Sequence, residues 1–220
     1  MIYFLALLLF PLQAAACSFA LLLSMDASGS IDSREWQLQT GGLAAALTDP
    51  EVAHFLVHRD VRLAVHQWSG APEQDLTIGW TAIPDEAALQ AFAAEVAALP
   101  RRWSSGMTAI ATALETMAPV MASSGCRRQV IDVSGDGESN EYLDIEGPRR
   151  TLGAMGVTVN ALAIEPEGID WFLNYKSLAD YYQHKLIIGP GAFVEQAEGY
   201  DDYPRAILQK LRREVLEPLG

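Results

Sequence analysis

Short apolar segments alternate with amphipathic ones along most of this chain, and that alternation restricts the fold more than any other feature. "FALLLSM" (19–25) reads as a buried strand that ends in a polar turn. Asp32 to Leu47 reads as a helix, with Asp32 and Glu35 placed as a capping box and Trp36, Leu43, Ala44 and Leu47 on one face. "VRLAVHQWS" (61–69) and "LTIGWTAI" (76–83) follow as two strands with only a short link, which predicts a hairpin. Asp85 to Leu99 has helical spacing through Leu89, Phe92, Val96 and Leu99, and Pro100 stops it.

Beyond the loop "RRWSSGM" (101–107), a helix is predicted from Thr108 to about Ala122, then a fourth strand carrying Val130, Ile131 and Val133. Asp144 to Met155 reads as helix with Gly156 as its stop, 157–164 as a fifth strand, and the aromatic-rich 168–183 as helical. "GPGAFVEQA" (189–197) holds a short sixth strand, and Tyr203 to Val215 closes as a helix with Ile207, Leu208, Leu211 and Val215 in one stripe. Strands alternating with helices imply a doubly wound, mostly parallel α/β sheet covered on both faces. The single helix-free connection places one antiparallel strand at an edge.

Length and composition agree with one domain: 220 residues, half of them hydrophobic and 20% charged, enough for a sizeable core. A formal net charge of −13 argues against nucleic acid or an anionic membrane surface as partner, since both would be repelled. The opening "MIYFLALLLFPLQAAA" has no charged side chain, and Ala14 and Ala16 match an A-x-A cleavage site. Residues 1–16 therefore read as a signal peptide and 17–220 as the mature domain, exported to a periplasm or secreted, with no membrane span left after cleavage. Two alternatives stay open: an anchor retained over Ile2 to Met25, broken by Pro11 and Gln13, and a lipid on Cys17, although Ala14 stands where a lipoprotein signal usually has Leu.

Three polar loops carry the candidate chemistry: "DASGS" (26–30), "SSGMT" (104–108) and "SGDGES" (134–139). In a doubly wound sheet, loops at the strands' carboxyl ends share one face, and ligands bind where the strand order reverses. If the first and fourth strands are neighbours there, Asp26 and Asp136 stand side by side. Two carboxylates with several hydroxyls, and no His or Cys, form a hard oxygen site suited to Mg2+ or Mn2+ rather than zinc. Each residue taken singly also has a plain reading: Ser28, Ser30 and Thr108 as helix caps, Asp136 and Gly137 as a turn. Other candidates are weaker. Neither "SGDGES" nor "IGPGAF" completes a phosphate loop, and no G-x-S-x-G is present. His54, His58, His66 and His184 lack metal spacing; Trp68 and Trp80 read as core or edge packing. Arg101, Arg102, Arg127 and Arg128 read as solvated pairs near loops.

D-x-S-x-S after a first apolar strand, a later Thr, and Asp-Gly after a further strand resemble the metal-ion-dependent adhesion site of von Willebrand factor A-like domains. The resemblance runs from about residue 18 to 215, and "TDPEV", "WSG", "VIDVSGDG" and "GPGAFV" are similar to a bacterial exported branch with no assigned activity. It implies the strand order 3-2-1-4-5-6 with the third strand antiparallel. It also implies a metal site of Asp26, Ser28, Ser30, Thr108 and Asp136. The three hydroxyls would touch the ion, while the two acids would act partly through water or by orienting the hydroxyls. An ion so ligated stays electron-poor and favours an Asp or Glu of a protein partner as its remaining ligand. The function implied is non-enzymatic recognition of such a partner. The alternatives are a metal-assisted hydrolase, for which Glu138 and Glu141 are the available bases, and a structural module with a vestigial site. Trp103 and Tyr142 are candidate partner contacts.

Cys17 lies nine residues before Asp26 and Cys126 ten before Asp136. If the two strands are parallel neighbours with both acids at one end, the cysteines meet at the other and can form a disulfide. That pairing competes with lipidation of Cys17.

Overall fold

The computed structural model describes residues 17–141, 144–165 and 175–216. The reading of 1–16 as a signal peptide, the first part of the 168–183 segment and Tyr142 lie outside the described residues.

β1 (Phe19–Asp26) is buried at every position, as an unbroken apolar strand must be when both sheet faces are covered. Phe19, Leu21, Leu23 and Met25 point to one face and Ala20 and Leu22 to the other, the two-residue period of an extended chain. β1 pairs in parallel with β2 (Val61–Trp68) on one side and β4 (Arg128–Gly135) on the other. β5 (Thr158–Ile164) and β6 (Val194–Ala197) continue in parallel beyond β4. β3 (Gln74–Ile83) forms the opposite edge, antiparallel to β2. The order is 3-2-1-4-5-6, with the antiparallel strand at the expected edge.

One face is covered by α1 (Ser33–Leu47), α2 (Pro50–His58), α3 (Glu86–Ala97) and α7 (Tyr203–Leu216). The other carries α4 (Ile110–Ser123), α5 (Glu146–Ala154) and α6 (Leu178–Lys185). The capping box of α1 forms as read: Asp32 accepts from the Glu35 N–H at 2.8 Å, and Glu35 accepts from the Asp32 N–H at 2.7 Å. α2 was not expected from the hydrophobic pattern. Asp49 caps it and Pro50 opens it, and only Val52 and Leu56 are fully buried, so its apolar signal is short. His54 and His58 stack on its exposed side with ring centroids 4.3 Å apart.

α7 buries more than the apolar stripe. Lys210 Nζ lies 2.7 Å from both Asp132 Oδ1 of β4 and Glu214 Oε1, and all three residues are at most 1% exposed. Asn160 of β5 donates to Glu214 at 2.8 Å, completing a polar group inside the apolar layer between α7 and the sheet. At the amino ends of β1 and β4, Cys17 and Cys126 are joined in a disulfide with Cα atoms 4.4 Å apart, the pairing that adjacent parallel strands allow. No helix among the described residues is long and apolar enough to cross a membrane.

Candidate metal centre

β1 is the switch point of the sheet, since the chain leaves it to β2 on one side and reaches β4 on the other. Met25 stands opposite Ser134, so Asp26 and Asp136 leave the carboxyl ends of adjacent strands together. Asp26 is fully buried, and its Oδ1 accepts from the Ser28 N–H at 2.7 Å, which curls the first loop back on its own acid. Ser28 Oγ and Ser30 Oγ are 3.3 Å apart, and Ser30 Oγ donates to Asp136 Oδ1 at 2.9 Å. The first and third loops therefore share one hydroxyl-carboxylate cluster.

The second loop joins through backbone contacts. Gly29 N–H donates to Gly106 O at 3.2 Å, and a Cβ on Gly29 would stand 3.1 Å from that same oxygen. Gly106 has φ +140, and a Cβ there would overlap Glu73 and Ser69, so the loop needs glycine at this point. Thr108 is buried; its N–H donates to Asn140 Oδ1 at 2.7 Å, and its carbonyl accepts from the Asn140 N–H at 3.1 Å. Its Oγ1 faces the third loop, 3.9 Å from where a Gly137 Cβ would be. α4 starts at Ile110 rather than at Thr108, and its first residue is capped by no side chain. Thr108 is thus not an N-cap, and Ser28 and Ser30 precede α1, whose cap is Asp32. The plain capping reading of these three hydroxyls is not what the fold uses them for.

The electrostatics fit a cation. Asp26 Oδ2 is buried with no hydrogen-bond partner. Burial first, and the neighbouring Asp136 second, push the Asp26 carboxyl up to about 8. Burial also raises Asp136, against the Ser30 hydroxyl that favours its charged form. An unpaired carboxylate oxygen in a dry setting is costly, and a cation is what relieves it. The donors available are hydroxyl and carboxylate oxygens without nitrogen or sulfur. Among the described residues no three or more His, Cys, Asp and Glu side chains gather to hold a metal ion, so a centre here would rest on hydroxyls with two carboxylates. Asp26, Ser28, Ser30, Thr108 and Asp136 therefore suit a hard divalent ion.

The structure adds residues that the motif does not contain. Arg101 was read as solvated; instead it is half-buried and donates to the carbonyls of Ala27 and Ser28, fastening the first loop from below. Arg128 also departs from the solvated reading, stacking 4.5 Å over Phe19 and donating to the Glu214 carbonyl. Arg102 pairs with Asp75 at 3.0 Å. Tyr182 donates to Gly137 O at 3.0 Å, and Tyr200 lies beside Asp136, its hydroxyl raised well above 10 by burial and then by that acid. No local pattern signals these residues, because each arrives from a distant segment. Trp103 packs against the core and Trp68 is fully buried. Glu141 accepts from the Ala71 N–H at 2.9 Å, and burial raises Glu138.

A family model described as "Protein of unknown function (DUF1194)" matches residues 16–219. No curated protein matches the chain. Among solved structures, a von Willebrand factor type A protein from Catenulispora acidiphila aligns with TM-score 0.63 and 15% identity, over 90% of this chain and 43% of that one. Proximal thread matrix protein 1 from the mussel byssus, with a zinc-occupied MIDAS motif, aligns with TM-score 0.60 and 16% identity, over 89% of this chain and 47% of that one. The pilus adhesin SpaC from Lactobacillus rhamnosus GG aligns with TM-score 0.63 and 13% identity, over 92% of this chain and 32% of that one. The chain spans less than half the length of each of these structures.

Proposed function

The chain belongs to the DUF1194 family of proteins of unknown function and has a von Willebrand factor A fold, and from that premise we propose that it is a non-enzymatic module that binds a protein partner through a divalent ion. The observation that carries this reading is the buried, unpartnered Asp26 Oδ2, set beside Asp136 and the Ser28 and Ser30 hydroxyls. Ser28, Ser30 and Thr108 would hold Mg2+ or Mn2+ directly, with Asp26 and Asp136 orienting hydroxyls and water around it. The bound ion supplies an electron-poor position for an incoming carboxylate. This chain's own residues do the rest. Asp26 fixes the Ser28 backbone, Ser30 ties the first loop to Asp136, and Arg101 holds the first-loop carbonyls. The zinc-occupied motif named for the mussel protein, which shares the fold, supports divalent-metal use here. The pilus adhesin of the same fold supports a binding role.

The proposal includes export, to a periplasm or beyond the cell, which the Cys17–Cys126 disulfide supports. Affinity capture from the native organism with Mg2+, and again with chelator, tests the function. The captured partner should be lost with chelator, with Asp26→Ala in this chain, and with one Glu→Gln or Asp→Asn change in the partner. Undiminished capture in chelator would show that recognition uses another surface.

A further inference from the structure

On the reading that the five-residue cradle holds a divalent ion, we propose that Tyr182 is a positioning residue of that centre, through which α6 sets the metal affinity. Tyr182 is fully buried on α6, and its hydroxyl donates to the Gly137 carbonyl at 3.0 Å. Gly137 directly follows Asp136, so this bond holds the Gly137–Glu138 peptide, the next one after the third-loop acid. The same hydroxyl lies 2.7 Å from where a Gly135 Cβ would be, and Asp26 Oδ2 lies 3.2 Å from that point. Tyr182 thus ends at the tip of β4, between the third loop and the first-loop acid, in space that only a glycine at 135 leaves free.

The adjacent Tyr181 extends the hold. Its hydroxyl accepts from the Ser139 N–H at 3.3 Å, and Ser139 Oγ donates to the Thr108 carbonyl at 3.1 Å. One turn of α6 therefore fastens the third loop at two points, and that loop fastens Thr108. α6 is itself anchored to the sheet. Glu165, just past β5, accepts from the N–H groups of Leu178 at 3.1 Å and Ala179 at 2.9 Å. The connection runs from β5 through Glu165 and α6 to the loop that carries Asp136 and bonds Thr108 through Ser139. Groups that orient metal ligands from outside typically change affinity by about 10–100-fold when removed. Tyr182→Phe keeps the ring and removes only the hydroxyl, leaving the Gly137 carbonyl unpaired and the loop free to shift.

Mn2+ titration calorimetry on the disulfide-intact chain tests this, with thermal unfolding of the metal-free protein measured alongside. Tyr182→Phe should stay folded without metal, its unfolding temperature lowered modestly by the unpaired Gly137 carbonyl, yet bind Mn2+ about tenfold or more weakly. Tyr175→Phe is the control: its ring packs edge-on against Tyr181 at 5.2 Å, and it should bind as wild type does. Gly135→Ala crowds both this hydroxyl and Asp26, so an unchanged Kd is the decisive result there. A folded Tyr182→Phe with unchanged Mn2+ affinity, whatever its unfolding temperature, would assign Tyr182 to packing and overturn the proposal while leaving the metal site intact. Should Tyr182→Phe not fold, an unchanged Kd in Gly135→Ala overturns it equally. A wild-type chain that binds no Mn2+ would overturn the metal reading itself.

Discussion

Replacing Lys210 by methionine removes the one ammonium that lies 2.7 Å from both Asp132 and Glu214 inside the α7 layer. Methionine is unbranched, flexible and close in shape to the lysine stem, so packing changes little and the charge dominates. Two carboxylates then remain buried without their cation, and breaking a buried ion pair from one side costs ~3–5 kcal/mol. In a domain of this size each kcal/mol moves the unfolding midpoint by ~2–4 °C, so the midpoint should fall by ~6–20 °C. Burial already pushes Asp132 up to about 7, with Lys210 opposing the shift. Without Lys210 the acid is relieved by taking up a proton, so the loss should be larger at pH 8 than at pH 5. Urea and thermal unfolding of both proteins at the two pH values measure this. A loss below ~1 kcal/mol at pH 8 would mean that water reaches the group and that the buried-ion account is wrong.

Thr108→Ala should weaken Mg2+ or Mn2+ binding while leaving the unfolding midpoint unchanged, because α4 begins beyond it without its help; calorimetry with equal affinities would remove Thr108 from the site. Reduction of the Cys17–Cys126 bond, which spans 109 residues, should cost up to ~4–5 kcal/mol in the chain-entropy model. Denaturant unfolding with and without reductant reads that loss, and an intact mass showing two free thiols or a lipid on Cys17 would contradict the bond. Metal-free stability should depend on pH in a set direction. Asp26 is raised to about 8, so its contribution is full below the ordinary carboxylate range and is lost as pH rises through about 8. Saturating Mg2+ should remove that loss and bind more tightly as pH rises, since the ion competes with the proton; metal-free unfolding that is flat from pH 5 to 8 would contradict it.

The sheet was legible because its strands are short apolar runs separated by helices of clear period. α2 escaped because its buried side is two residues wide, although Asp49 before Pro50 marks its start. The charged group under α7 escaped for another reason. Ile207, Lys210, Leu211 and Glu214 share one helical face, so spacing alone places Lys210 and Glu214 inside, while their charge argues for solvent. Asp132, a lone acid within an apolar strand, was the matching signal. Of the proposed ligands, Asp26, Ser28 and Ser30 stood out because one loop carries all three, and Thr108 and Asp136 through the order of the three loops in the family resemblance. Tyr182 arrives from α6, far along the chain, while Arg101 and Asn140 flank the second and third loops in sequence but show their use only by bonding across to the first and second loops.

Crystals of residues 17–220 soaked in Mn2+, with data collected for anomalous scattering, decide whether the five residues hold an ion. One strong anomalous peak is expected at the carboxyl ends of β1 and β4, with the Ser28, Ser30 and Thr108 hydroxyl oxygens among the ligands of a near-octahedral oxygen shell. Asp26 Oδ2, now without a partner, should face a water of that shell. A crystal with no anomalous peak among these five residues, or with Mn2+ bound only elsewhere on the acidic surface, would contradict it.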